Sequence, residues 1–282
     1  MKTGLILEGG AMRGLFTCGV IDVFLENNIE FDGAIGTSAG ACFGCNIKSK
    51  QHQRPYRYNM EFCNDKRYCS IESLIKTGDL YNVDFCYEQI PYHIYPFDEK
   101  AFEENPMEFY VTCTDVETGK AVYYKCRKGG REDGKWIRAS ASMPLVSRIV
   151  EIGNRKLLDG GIADSIPIRF FESIGYDHNV VVLTQPRAYV KKKNKLLPIL
   201  KVVLRKYPKI INAIRNRHIK YNQTTEYIKN IEKENKVFVI CPKESLEIGS
   251  TEKNPKELER VYQLGREAAL EQLEALKEYI KK

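Results

Sequence analysis

The sequence predicts a layered α/β fold with a largely parallel sheet, and three observations carry that prediction. Apolar runs of strand length alternate with helical patterns along most of the chain, the order expected when crossover helices join parallel strands. The first two units repeat one plan of strand, sharp glycine turn and helix, which in a parallel sheet puts both turns at the same edge. With 43% hydrophobic, 11% aromatic and 29% charged residues, the chain can bury a sizeable core and falls outside the disordered class.

Taken in order, residues 3–8 read as a short apolar strand, followed by the turn Gly9-Gly10-Ala11-Met12-Arg13-Gly14 and a helix marked by Leu15, Cys18, Val20, Ile21, Phe24 and Leu25. A second strand over residues 31–36 runs into Thr37-Ser38-Ala39-Gly40, then into small residues suited to a helix packed closely on a sheet. Further strands are expected at 109–114, 122–125, 179–184 and 237–241, with a hairpin around Gly153-Asn154 leading to Leu158. Residues 50–106, rich in Tyr, Asn, Asp and Cys with only short helical patterns, read as an insertion or cap. From Pro255, the residues Leu258, Val261, Leu264, Ala268, Leu273, Leu276 and Ile280 mark one amphipathic helix that closes the core. Neither a repeat nor a low-complexity linker interrupts the 282 residues, so residues 1–282 are expected to form one domain.

The charge is uneven. Overall, 44 Lys and Arg against 37 Asp and Glu give +7, which suits an acidic partner or surface. Twelve of the Lys and Arg lie in residues 187–220, and no Asp or Glu occurs between Asp177 and Glu226. In that basic stretch Leu196, Leu200, Val203, Tyr207, Ile210 and Ile214 keep the spacing of an apolar helix face, with Pro198 near its start and Pro208 as a break. A nucleic-acid site would use these cations on phosphates, but aliphatic runs break the segment and it carries no recognition motif, so no nucleic acid is expected. The first residues have too short an apolar core for a signal peptide, and no run of 18 apolar residues occurs. A cytoplasmic protein is expected, in peripheral contact with the inner face of the membrane. Nine cysteines, an odd number, favour reduced thiols. Cys42-x-x-Cys45 and Cys63-x5-Cys69 could pair on zinc, but the first pair falls on a helix of small residues and the second spacing is loose, so no metal and no cofactor are expected.

Gly36-Thr37-Ser38-Ala39-Gly40 matches G-x-S-x-G, in which a serine on a strained strand-to-helix turn exposes its hydroxyl at a helix N-terminus. The flanking Gly36 and Gly40 let the backbone pass without a Cβ clash. A nucleophilic serine needs a base, but none of the four histidines, His52, His93, His178 and His218, carries a triad-like local signature. The other route is a carboxylate acting directly on the serine. Asp159-Gly160-Gly161, straight after the apolar Leu157-Leu158, is the best such site, and partial burial would raise the aspartate's pKa towards a useful value. The turn from Gly9 to Gly14 fails as a dinucleotide fingerprint, because Gly9 and Gly10 are adjacent, and as a P-loop, because no Gly-Lys-Ser/Thr follows. As an oxyanion hole it would aim the amides of Gly10 and Ala11 at developing negative charge, with Arg13 adding positive potential.

Taken together, Glu8-Gly9-Gly10-Ala11-Met12-Arg13-Gly14, Gly19-Val20, Gly36-Thr37-Ser38-Ala39-Gly40, Ala139-Ser140 with Pro144, and Asp159-Gly160-Gly161 resemble the ordered motif set of the bacterial patatin-like phospholipases. The resemblance covers roughly residues 3–184. It implies a three-layer α/β/α fold and a Ser-Asp dyad with Ser38 as nucleophile and Asp159 as base, the Gly9 to Gly14 turn forming the oxyanion hole. This chain departs from the family pattern at Ala11, which ends the family's run of three glycines, and at Glu8, where Asp or Gly is common. The activity implied is hydrolysis of phospholipid or other fatty-acyl esters, of phospholipase A or lysophospholipase type. The basic amphipathic stretch 191–220 would meet an anionic membrane surface. The rival reading is a weakly active or inactive lipid-binding adaptor that keeps the fold.

Overall fold

The computed structural model describes residues 1–281. Eight strands form one sheet in the order β5-β6-β3-β2-β1-β7-β8, with β4 on the free side of β3. The strands are β1 Thr3–Leu7, β2 Gly33–Thr37, β3 Glu108–Asp115, β4 Ala121–Cys126, β5 Val150–Ile152, β6 Arg155–Asp159, β7 His178–Val182 and β8 Val237–Ile240. Each strand expected from the sequence is present within one or two residues. β1, β2, β3, β7 and β8 run parallel, whereas β4, β5 and β6 add antiparallel pairs at the β3 end.

Strand alternation builds the layers. Leu5 and Leu7 of β1, Ala34 of β2, and Phe109 and Val111 of β3 face one core, formed with helices α1 (Gly14–Glu26) and α2 (Ala39–Lys48). Ile6, Ile35 and Val181, from the same strands and β7, face the other core with α7 (Ile168–Ser173) and α9 (Pro208–Lys233). The result is helix, sheet, helix, as the motif resemblance implies. On the first face α1 is crossed by α10 (Pro255–Glu271). A Cβ on Gly265 would overlap the Phe16 carbonyl, and one on Gly19 the Tyr262 carbonyl, so the two glycines permit a crossing that alanine would block.

Between α2 and β3, residues 50–106 hold α3 (Arg54–Phe62), α4 (Ile71–Thr77), a π-helix at Phe85–Ile94 and α5 (Glu99–Glu104). Edge-on aromatic contacts, Phe62 to Phe85 at 5.1 Å and Tyr68 to Tyr81 at 5.4 Å, tie these short helices together. Two details differ from expectation. The C-terminal helix is broken at Gln272, giving α10 and α11 (Leu273–Ile280). In the basic stretch α8 (Leu197–Val203) is short and α9 begins at Pro208 but runs on to Lys233. Of the apolar residues at helical spacing there, Leu200, Ile210 and Ile214 are buried, while Leu196 and Val203 are 50% and 58% exposed. Spacing identifies a face but not whether anything covers it. All nine cysteines are free thiols, and no described helix is long and apolar enough to cross a membrane.

Candidate active site

β2 ends at Thr37, and the chain turns into α2 through Ser38, whose φ of 56° and ψ of −123° lie where a side chain is strained. The strain is imposed from both sides. A Cβ on Gly36 would overlap the Gly40 carbonyl, and one on Gly40 would overlap the Leu7 carbonyl and stand 2.9 Å from the Glu8 carbonyl. The Ser38 carbonyl accepts from the amides of Ala41 and Cys42 at 2.9 and 3.0 Å. The Ser38 amide donates to Ser140 Oγ at 2.9 Å, and Ser140 in turn donates to the Thr112 carbonyl at 2.6 Å. Ser38 thus sits half-buried at the N-terminus of α2, pinned at its own amide.

Asp159 reaches the same place through β3. One edge of β3 is taken by β4 over residues 109–114. Along the other edge β2 pairs from Gly33↔Glu108 to Thr37↔Thr112, and β6 takes over at the next position, Cys113↔Asp159. The ends of β2 and β6 therefore abut, which brings Ser38 and Asp159 together. The Asp159 amide donates to the Ser142 carbonyl at 2.8 Å, so residues 140–142, at the end of α6 (Arg131–Ser140), hold both partners. Asp159 is 1% exposed. Its Oδ1 accepts from the Gly161 amide at 2.7 Å, whereas its buried Oδ2 accepts no hydrogen bond among the described residues. Burial raises the carboxyl's pKa above the ordinary aspartate value, and the Arg217 guanidinium, the nearby Ser38 hydroxyl and the Gly161 amide partly offset the rise.

The turn after β1 lies against this pair. A Cβ on Gly9 would stand 2.7 Å from the Thr37 carbonyl and 2.9 Å from Ser38 Cβ. Gly10 faces Thr184, and Gly14 faces Ala39 and Phe43 of α2. The amides of Gly10 and Ala11 donate to no acceptor among the described residues; they are the orphan donors expected where a helical turn begins. Ala11 has φ 50°, the left-handed conformation that favours glycine, so this chain keeps the glycine turn's backbone while carrying a Cβ. Arg13 Nε is buried without a hydrogen-bond partner among the described residues. Beneath the turn Glu8 accepts from the Thr184 amide at 2.6 Å and from the Tyr221 hydroxyl at 2.7 Å. Burial raises its pKa, against those two donors, Lys191 and Arg13.

The structure thus gathers Ser38, Asp159, Gly9, Gly10, Ala11 and Gly14 at one sheet edge, with Gly36 and Gly40 shaping the serine turn. None of the histidines joins them. His52 pairs with Glu26 at 2.7 Å, His93 is exposed, His178 Nε2 donates to the Tyr279 carbonyl at 2.6 Å, and His218 borders a separate groove with Asn222, Glu226 and Asn230. Cys42, one helical turn from Ser38, approaches the Tyr87 hydroxyl of the π-helix at 4.0 Å. Burial, then Cys45, pushes its thiol up to about 12, which favours the protonated form. Among the described residues, no group of His, Cys, Asp and Glu is placed to hold a metal ion. The sequence alone does not reveal a role for Ser140, Thr184, Arg217 or Tyr221. Ser140 was in view as part of a motif, whereas the other three lack any local pattern.

Comparison with known proteins gives two family matches. The model described as "Patatin-like phospholipase" matches residues 5–171. One described as "Domain of unknown function (DUF6363)" matches residues 207–281. Among curated relatives, the Escherichia coli (strain K12) protein named "Uncharacterized protein YjjU" is 25% identical, covering 94% of this chain and 75% of its own length. "Lysophospholipase nte1" of Aspergillus niger is 26% identical over 62% of this chain, which is 11% of that protein. "Uncharacterized NTE family protein Rv1063c" of Mycobacterium tuberculosis is 24% identical over 64% of this chain and 48% of its own. The chain therefore spans about a tenth of the fungal relative and about half of the mycobacterial one. A solved structure, "Crystal structure of VipD from Legionella pneumophila", aligns over 97% of this chain and 67% of that one, with 14% identity and a TM-score of 0.49.

Proposed function

We propose, starting from the fact that this chain belongs to the patatin-like phospholipase family, that it is a serine lipid acyl hydrolase working through a dyad of Ser38 and Asp159. One observation carries the reading: a serine held in a strained turn beside a buried carboxylate with an oxygen that accepts no hydrogen bond among the described residues. Asp159 takes the Ser38 proton as Oγ bonds to the acyl carbon. The amides of Gly10 and Ala11, with Arg13, hold the oxyanion, an arrangement in which one donor is typically worth about a hundred- to a thousandfold in rate. The alcohol leaves with the proton from Asp159, and water activated by the same carboxylate then frees the fatty acid and restores Ser38. In this reading the chain is one hydrolase domain and the helices of residues 50–106 cap the acyl site.

A fluorophosphonate, which captures an activated serine as a stable ester, tests the nucleophile. It is expected to label the peptide carrying Ser38 and to leave Ser38→Ala unlabelled, while wild type releases fatty acid from a lysophospholipid. Absence of both labelling and turnover would give way to the lipid-binding adaptor reading.

We further propose that α8 docks on an anionic membrane. Ile199, Val202 and Val203 are exposed on it, with Lys192, Lys193, Lys195, Lys201, Arg205 and Lys206 in and around it. Apolar side chains ringed by cations suit the headgroup boundary, where each Lys or Arg contributes about 1 kcal/mol. Sedimentation with vesicles containing phosphatidylserine is expected to fall at least tenfold in Ile199→Asp/Val202→Asp and in high salt, with no change towards neutral vesicles.

A further inference from the structure

Beside the Asp159 loop lies a cavity of about 440 Å³, walled by residues 161–166, the start of α7, the start of β4 and the inner face of α9. Four cationic side chains line it, Lys120, Arg169, Arg217 and Lys220, against the single carboxylate of Asp164. Asp164 is itself engaged by the Tyr123 hydroxyl at 2.8 Å. Arg169 lies over the Tyr227 ring at 3.2 Å and pairs weakly with Glu172 at 3.8 Å. Lys120, Arg217 and Lys220 form no ion pair among the described residues, and Arg217 Nε is buried without a hydrogen-bond partner.

Arg217 and Lys220 act on the buried carboxylates of Asp159 and Asp164, which still leaves four lining cations against two carboxylates, a surplus that favours an anion in the concavity. The cavity also adjoins the reacting groups. A Cβ on Gly161 would stand 2.9 Å from Arg217 Nη2 and 3.0 Å from Asp159 Oδ1. Thr37, the residue before Ser38, donates to the Asp164 carbonyl at 3.4 Å. The cavity wall thus touches both the Asp159 loop and the residue that precedes Ser38. Guanidinium and ammonium donors converging from one helix fit the oxygens of a phosphate ester.

We propose that this cavity is the headgroup subsite of the hydrolytic site, that Arg217 and Lys220 ligate the phosphate of a lysophospholipid there, and that the enzyme selects anionic phosphate esters over uncharged glycerides. The proposal rests on the hydrolase reading above. It also gives the segment 207–281, matched only as a domain of unknown function, a role, since α9 supplies half of the lining cations.

The test has a binding arm and a kinetic arm, both on the full chain. Calorimetry with glycerol 3-phosphate is expected to show binding to wild type that weakens at least tenfold in Lys120→Gln/Lys220→Gln, both exposed positions where the fold is retained. Inorganic phosphate is expected to bind more weakly. Equal affinity for inorganic phosphate, without competition between glycerol 3-phosphate and ester hydrolysis, would identify a free-phosphate site and overturn the headgroup assignment. In the kinetic arm, the kcat/KM ratio of 1-acyl-glycerol 3-phosphate to monoacylglycerol is expected to exceed ten and to drop at least tenfold in the double variant. An unchanged ratio overturns the proposal. Should wild type hydrolyse neither lipid yet bind glycerol 3-phosphate through these lysines, the hydrolase reading fails and the cavity is an anion site only.

Discussion

Asp159→Asn is expected to lower kcat/KM for a chromogenic fatty ester by about 10³- to 10⁴-fold, the scale on which loss of a proton acceptor beside a serine nucleophile acts, without lowering the melting temperature at neutral pH. The two halves of this result belong together. Asparagine still accepts from the Gly161 amide through its oxygen, the bond Asp159 Oδ1 makes at 2.7 Å, and it carries no charge into a buried site. Because the Asp159 carboxyl has a raised pKa in the folded state, its contribution to stability is fully present below the unfolded value. That contribution is lost as pH rises through the folded value, and Asp159→Asn removes this dependence. Activity runs the other way, since the base must be ionised, so the acid limb of the rate profile is expected above the ordinary aspartate range. Arg217→Gln removes the cation that favours the carboxylate and is expected to move that limb to higher pH. Full activity in Asp159→Asn would end the dyad reading.

The second large effect is structural. Gly40→Ala is expected to destabilise the protein by about 3 kcal/mol, the upper end for forcing a methyl group into a packed interior, and to abolish esterase activity with it. The added Cβ meets the Leu7 and Glu8 carbonyls, which are main-chain atoms at the end of a strand paired on both sides by β2 and β7. No rotamer change relieves that contact, so α2 must lift off the sheet and Ser38 must move with it. Gly134 in α6 is the matched control, because nothing lies within 4 Å of a Cβ there. Gly134→Ala is expected to stabilise by about 0.5–1 kcal/mol through helix propensity and chain entropy. Urea denaturation of the two variants reads both signs. Equal stability of Gly40→Ala and wild type would mean that the turn is not sterically locked.

What the sequence made legible follows the range of the forces involved. The strands, the serine turn and the Asp159 loop could be read because alternation, glycine placement and apolar runs are local properties. Ser140 stood in view as part of a motif, but its bond to the Ser38 amide spans 102 positions along the chain, and no spacing rule reports such a contact. Arg217 lay inside a basic stretch with eleven other cations. What singles it out is its place beside Asp159, which depends on α9 crossing the sheet face. The break in the C-terminal helix is invisible in the sequence for a related reason: the apolar period continues through Gln272, while the backbone breaks there.

The shared edge of β3 also bears on the order in which the molecule assembles. Both pairings on that edge join residues distant in the chain, Gly33 of β2 with Glu108 and Cys113 with Asp159 of β6. Contacts of such sequence separation form late in folding. A partly folded chain in which either strand has not docked on β3 would therefore hold the serine turn and Asp159 apart. If the dyad carries the reaction, competence to cleave esters arrives only when both strands are seated on that one edge, so the chain acquires its chemistry together with its long-range pairings.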